Sequence, residues 1–160
     1  MSQRAEQLAK RIEQGAEAVA TFAEGLSDRD WKIPVPPDGR TVGVMVHHVA
    51  SMYPIELDLA KKMASGDGVS GLSWDDVAKV NAAHAHDHAA ANRQETVALL
   101  RANAKAAAAA VRAFTDAQLD TAAPLSLDAD APLTAQYFIE GHPVRHSFHH
   151  LSKIRAVLHR

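Results

Sequence analysis

Apolar residues recur at intervals of three and four positions along most of the chain, which is the period of an amphipathic α-helix. No regular alternation typical of a β-strand competes with this period. Whether residues 91–96 separate two helices or lie within one is left open by the pattern. The predicted helical segments are residues 3–26, 41–65, about 73–91, about 97–114, and 134–159.

Proline and glycine mark the connections between these segments. Residues 27–40, 65–71 and 116–133 are rich in them and are predicted to be loops. Pro54 and Pro143 lie inside predicted helices. Because proline has no backbone N–H, we expect Pro54 to kink its helix or end the first segment, and Pro143 to bend the last helix.

Four long helices with one or two shorter ones predict an all-α fold, a four-helix bundle that occupies residues 1–160 as one domain. A chain of 160 residues can bury a core of its own. Aromatic residues make up only 5% and alanine is abundant, which favours helices packed closely on one another.

The charge pattern argues against polyanionic partners. The net charge is -2 and no block of Lys or Arg stands out, so nothing favours nucleic acid or an anionic membrane. The apolar runs are too short to span a bilayer, and the first residues lack the apolar stretch of a signal peptide. We therefore expect a cytoplasmic protein with a small-molecule substrate, and an alanine-rich helix face could support a homodimer.

The chain contains no cysteine. This excludes disulfides, thiolate metal ligands and a cysteine nucleophile. Any thiol chemistry would need a thiol carried by a small molecule.

The histidines carry most of the chemical information because they are clustered. His146 and His150 stand one turn apart on the same face of the last helix, so both can reach one metal ion at about 2.0–2.1 Å. The zinc-protease motif has a glutamate between two such histidines, and none lies between these two. The three groups are His47 and His48; His84, His86 and His88; and His142, His146, His149 and His150.

Helical phase selects among the histidines of the last helix. At about 100° per residue, His150 lies within the apolar arc and His146 on its flank. His142 falls further round, and His149 faces nearly opposite. The inward pair is therefore His146 and His150, and we expect His149 to be a solvated surface residue.

The same argument selects a third ligand on the second helix. His48 flanks the apolar arc, whereas His47 points away and is expected at the surface. His84 and His88 form another pair one turn apart, which we interpret as rim or surface residues. The predicted metal site is His48, His146 and His150. No catalytic residue can be assigned, although His142 and His84 are candidates for a general base.

Three neutral nitrogen ligands leave coordination positions open, as in catalytic metal sites. A metal ion in such a site lowers the pKa of a bound water or thiol and polarises carbonyl groups. Imidazole ligands suit zinc or nickel first, with iron, copper or manganese as alternatives.

Three segments resemble the DinB/YfiT-like superfamily of metalloenzymes: W-x-x-P followed by GRTVGVMVHHVA within 31–50, VNAAH at 80–84, and HPVRHSFHHLSKIR at 142–155. The resemblance covers nearly the full chain in the order of its elements. It implies a four-helix bundle with one metal-binding histidine on the second helix and an HxxxH pair on the last. In this sequence those positions are His48, His146 and His150.

Members of that superfamily include thiol-dependent transferases and a mycothiol-dependent maleylpyruvate isomerase. The resemblance therefore implies a metal-dependent enzyme that activates a low-molecular-weight thiol for S-transfer or isomerisation. Two alternatives stay open, namely a metal-dependent hydrolase and a non-enzymatic metal-binding or stress-associated protein. An enzyme needs an open coordination position at the base of a cleft, whereas a sequestering site can be closed.

Overall fold

The computed structural model describes residues 2–160 and is built mainly of α-helices. A two-stranded antiparallel hairpin and a short 3₁₀ turn at Ser126–Asp128 interrupt them. The helices are α1 (Gln3–Glu24), α2 (Asp28–Trp31), α3 (Val42–Ser65), α4 (Trp74–Asp87), α5 (Arg93–Arg112), α6 (Asp116–Asp120), α7 (Ala135–Ile139) and α8 (Arg145–Leu158), and the strands are β1 (Ala122–Leu125) and β2 (Ala131–Thr134).

Four long helical units form the bundle, which confirms the predicted fold class. They are α1, α3, α5 and a C-terminal helix made of α7, a π-helical turn at Glu140–Val144, and α8. Helix α1 packs along α5, α5 packs along α3, and α8 packs against both α1 and α3. The largest fully buried side chains between them include Leu8, Ile12, Met45, Tyr53, Leu100, Phe138 and Ile154.

Residues 88–92 separate two helices, which settles the point that the sequence pattern left open. Helix α4 ends at Asp87, and the side chain of Asn92 accepts a hydrogen bond from the Glu95 amide to begin α5. Helix α4 contributes no fully buried residue and lies on the outside of α3. Helix α5 alone supplies the third member of the bundle.

Residues 116–133 are more ordered than the predicted loop. Helix α6 begins at a capping box formed by Thr115 and Gln118, and β1 then pairs with β2. The expectation that the chain has no strands was therefore wrong here. Pro124 and Pro132 lie opposite each other in this hairpin. Strand β1 also contacts Val69, whose amide donates to the carbonyl of Pro124, so this contact does not need the N–H that proline lacks. Proline is tolerated at such edge positions, but it conceals the strand pattern in the sequence.

Pro54 does not end its helix, because α3 runs unbroken from Val42 to Ser65. The proline leaves the carbonyl of Ala50, four residues earlier, without its helical N–H donor. The side-chain amide of Asn103 on α5 donates to that carbonyl at 2.8 Å. A tertiary hydrogen bond thus replaces the missing helical one.

Pro143 lies inside the π-helical turn that joins α7 to α8. A π turn is a local widening of a helix, and such widenings are common near functional sites. The widened turn lets the chain continue past the proline into α8, the helix that carries His146 and His150.

Across residues 2–160, no helix combines the length and the apolar character needed to cross a membrane.

The indole ring of Trp31 packs directly on Gly43, near the start of α3, and its Nε1 donates to the carbonyl of Ala91 at 2.8 Å. A Cβ at position 43 would overlap the ring. We expect Gly43→Ala to lower the unfolding midpoint, because overpacking of this kind costs about 1–3 kcal/mol. That cost exceeds the gain of about 1 kcal/mol from the helix propensity of alanine.

The matched control is Gly25→Ala, whose added Cβ would meet its first neighbour at 3.6 Å. Urea unfolding of both variants checks the prediction. Equal midpoints for the two would contradict the tight packing of Trp31 on α3.

Candidate metal centre

The structure brings together the three histidines that the sequence pattern selects. His48 comes from α3, and His146 and His150 from successive turns of α8. One ring nitrogen from each lies within 4.8 Å of those of the other two, a group that could hold a metal ion. The Nε2 atoms of His48 and His146 are 3.0 Å apart.

The orientation of the three rings suits a common ligand. The ring centroids lie 4.9 Å apart for His48 and His146, 5.1 Å for His48 and His150, and 4.6 Å for His146 and His150. The planes of these pairs are inclined at 81°, 86° and 58°. Two nitrogens bound to one ion at about 2.0–2.1 Å stand roughly 3 Å apart, so the His48–His146 spacing fits a shared ion.

Burial keeps two of these imidazoles neutral. His48 is 4% exposed and His150 is 6% exposed. Burial, with smaller contributions from His146 and Arg40, lowers the pKa of His48 to about 2. The pKa of His150 is also lowered far below its ordinary value, again mainly by burial. Metal ions bind the neutral imidazole, so both side chains are in the form that a ligand requires.

His146 is oriented by a buried carboxylate. Its Nδ1 lies 3.0 Å from Oε1 of Glu56, which is itself 4% exposed. An Nδ1–H donor to this carboxylate leaves Nε2 as the free acceptor that faces His48. A carboxylate behind a ligating histidine fixes the tautomer and raises the basicity of the ligand.

Sequence reasoning missed Glu56. The signal was present, because Glu56 falls one turn after Tyr53 and Met52 on the apolar arc of α3. A charged residue on a buried arc needs a partner. Histidine spacing alone does not identify that partner.

Two buried atoms of the site have no hydrogen-bond partner among the described residues. They are Oε2 of Glu56 and Nδ1 of His150. Unpartnered buried polar atoms are uncommon and often mark a place where a water, ion or ligand belongs.

A cleft of about 430 Å³ opens onto the three histidines. Residues of α3, α4 and α8 line this cleft. Its apolar lining is formed by Met52, Ile55, Leu59, Leu72, Trp74, Val77, Val80 and Leu127.

The hairpin region holds the α4 wall in position. Nε1 of Trp74 donates to the carbonyl of Leu127 at 2.9 Å, and the hydroxyl of Ser126 donates to the carbonyl of Leu72 at 2.7 Å. Trp74 is 59% exposed and lines the cleft, so it is not part of the hydrophobic core.

His142 and His149 also line the cleft, outside the three-histidine group. His142 stacks on Phe138 with centroids 4.3 Å apart, and burial lowers its pKa, so the ring is neutral at physiological pH. His149 is half-buried, with its ring edge-on to His150 at 5.1 Å, and not the fully solvated residue expected from helical phase.

His47, His84 and His88 form a second histidine group, which joins the predicted pair on α4 to a residue of α3. Nδ1 of His47 lies 2.9 Å from Nε2 of His84, and the three offer nitrogens within 4.8 Å of one another. The reason is that α4 crosses α3 beside His47, which the phase of α3 alone cannot reveal. Burial lowers the pKa of His84 to about 4 and also lowers the pKa of His47.

The two groups differ in ring geometry. His47 and His88 are stacked, with centroids 4.0 Å apart and planes inclined by only 23°. They also differ in burial, because His48 and His150 are buried whereas His47, His84 and His88 are not. Nitrogen spacing does not distinguish the two groups, since each keeps its nitrogens within 4.8 Å.

Residues 11–154 match the sequence pattern of the DinB superfamily. The chain belongs to the DinB superfamily. Among curated proteins, none matches this sequence significantly.

A solved structure with a similar fold is YfiT from Bacillus subtilis, described as a probable metal-dependent hydrolase with an unusual four-helix bundle topology. The two structures superpose with a TM-score of 0.77 and 22% sequence identity, covering 100% of this chain and 89% of the other. This DinB-superfamily chain thus shares the fold of that protein.

We expect purified protein to carry close to one divalent metal ion per chain, and His150→Ala to lose most of it. The reason is that two remaining imidazoles would hold an ion weakly. Elemental analysis of the purified variants measures this directly.

The control variants are His149→Ala and His47→Ala, which should retain the metal. His47→Ala also breaks the second histidine group, so it separates the two groups experimentally. Full metal content in His150→Ala, or loss of metal in His47→Ala, would contradict the assignment.

Proposed function

We propose that this DinB-superfamily protein is a metal-dependent enzyme in which His48, His146 and His150 hold one divalent ion. Its reaction is the activation of a low-molecular-weight thiol for transfer to an electrophile, or for isomerisation through a thiol adduct. The observation that carries the proposal is the cleft of about 430 Å³ that opens onto these histidines.

The donor set determines what chemistry the ion supplies. Three neutral nitrogens do not offset the charge of a divalent ion, and zinc or nickel is suited to such ligands. A bound ion of this kind lowers the pKa of a thiol that reaches it, so that the thiolate forms near neutral pH. Glu56 holds His146 in the tautomer that the site requires.

The chain's own residues favour an external thiol as nucleophile. The chain has no cysteine, so the sulfur must come from a small molecule. Apolar side chains of Met52, Leu59 and Val77 line the cleft beside the histidines. A thiolate is less strongly hydrated than a hydroxide ion, so bringing it against such a surface costs less free energy.

Hydrolysis is the second candidate, and one observation favours it. Oε2 of Glu56 is buried without a partner, and the neutral His142 lines the same cleft. Either could accept a proton from an attacking water. YfiT from Bacillus subtilis, which shares the fold, is described as a probable metal-dependent hydrolase.

A purely sequestering role is less well supported. Sequestration needs no space for a second molecule, whereas here a substrate-sized cleft adjoins the histidines. The openness of the site therefore favours an enzyme.

The test is a conjugation assay with metal-loaded protein. Mycothiol, bacillithiol and glutathione are each offered with an aromatic halide and with an unsaturated diacid. We expect metal-dependent acceleration with at least one thiol, and His146→Ala should reduce the rate to that of the uncatalysed reaction because the ion is lost.

The matched control is His86→Ala, since His86 is exposed on α4 and belongs to neither histidine group. Its rate should equal that of the unaltered protein. If no thiol gives acceleration but the metal-loaded protein cleaves members of an ester or amide panel, the thiol proposal is wrong and hydrolysis becomes the proposed reaction. Absence of activity in both assays would overturn the enzymatic proposal.

A further inference from the structure

A buried guanidinium with a free donor stands beside the candidate metal centre. Arg40 precedes α3, and its side chain is only 10% exposed. Its Nε donates to Oδ2 of Asp38 at 2.9 Å. Its Nη1 is buried and has no hydrogen-bond partner among the described residues. A buried charged donor without an acceptor destabilises the fold, so its presence calls for an explanation.

Arg40 lines the same cleft as His48, His146 and His150. The unpartnered Nη1 thus belongs to a side chain that borders the space beside the candidate ligands.

The other charged groups of the cleft reinforce this charge. Arg145 and Lys153 on α8 line it as well. Within the described residues, Glu56 is the one carboxylate of the lining, and it is engaged by His146. With a divalent ion at the histidines, the cleft carries a large excess of positive charge, which attracts an anion.

The pairing with Asp38 does not account for the burial of Arg40. Asp38 is half-exposed and is already paired with Nε. A structural role is therefore complete without Nη1. What remains is an unpartnered charged donor on a residue that lines the cleft, where many of the other lining side chains are apolar.

We propose that Arg40 binds the carboxylate of a small, otherwise apolar substrate, which reaches from the guanidinium to the metal centre. This inference rests on the proposed function and narrows its substrate class. A carboxylate matches the guanidinium in charge and geometry. The apolar body of the substrate lies against Trp74 and Val77. The carboxylate belongs either to the thiol or to the electrophile.

The first experiment measures binding without any reaction. Calorimetry on metal-loaded protein compares phenylacetate with phenylacetamide, which has the same shape and no charge. We expect the acid alone to bind. Arg40→Gln should weaken its binding by at least about tenfold, the loss expected for a charge-assisted hydrogen bond, with unchanged metal content.

Two further variants keep the result interpretable. Arg145→Gln removes an exposed charge from the same cleft and should change the affinity by less than about threefold, since exposed charges are screened. Arg40→Lys retains the charge but loses the planar guanidinium that can donate two parallel hydrogen bonds, so it should bind the acid with intermediate affinity. This variant also tests the proposal if Arg40→Gln does not fold.

A stability measurement distinguishes ligand binding from a structural role. Without ligand, Arg40→Gln should change the stability to heat only slightly, because it removes one ion pair with the half-exposed Asp38 and, at the same time, a buried donor that has no acceptor among the described residues. Equal binding of acid and amide, or marked destabilisation of Arg40→Gln with unchanged acid binding, would overturn the proposal.

Two more pairs identify the source of the carboxylate. N-acetylcysteine is compared with its amide, and fumarate with fumaramide. If N-acetylcysteine binds more tightly than its amide, the carboxylate belongs to the thiol. If fumarate binds more tightly than fumaramide, the carboxylate belongs to the electrophile. Preference in neither pair overturns the proposal. Carboxylate binding that persists while the conjugation assay fails would leave this inference standing and reject the thiol chemistry alone.

Discussion

Helices α3 and α8 lie so close together that polar side chains buried between them bond one another, and the whole candidate site depends on this approach. Tyr53 and Ser147 share a buried hydrogen bond of 2.5 Å across the interface. His146 meets His48 at 3.0 Å and Glu56 at 3.0 Å. Burial of so many polar groups is tolerable only because they are partners, since an unpaired one costs about 1–3 kcal/mol.

The pairing is incomplete at the points that matter for chemistry. Atoms of Glu56, His150 and Arg40 are buried without a partner among residues 2–160, and all three residues line one cleft. A metal ion at the histidines and an anion at Arg40 would provide partners for the unpaired atoms of His150 and Arg40. The bundle around them has its own apolar core, so the stability of the fold does not depend on the site.

The sequence predicted the fold class and the three histidines because both follow from helical periodicity. The spacing of His146 and His150 and the phase of His48 are properties of single helices. Their proximity is now a feature of the structure, whereas their role as ligands stays a prediction. Glu56 could have been found by asking why a carboxylate stands on a buried arc.

Other features could not be read from the chain because they arise from contacts between elements. The group of His47, His84 and His88 depends on where α4 crosses α3. The continuity of α3 past Pro54 depends on Asn103, a residue of another helix. The β1–β2 hairpin was not predicted because its prolines hide the alternation of apolar and polar residues on which strand prediction relies.

The most direct test of the metal centre is diffraction from metal-loaded crystals at the absorption edge of the bound element. The account predicts one anomalous peak per chain, bonded to His48, His146 and His150 at about 2.0–2.2 Å. A peak among His47, His84 and His88 instead, or no peak at either group, would contradict it.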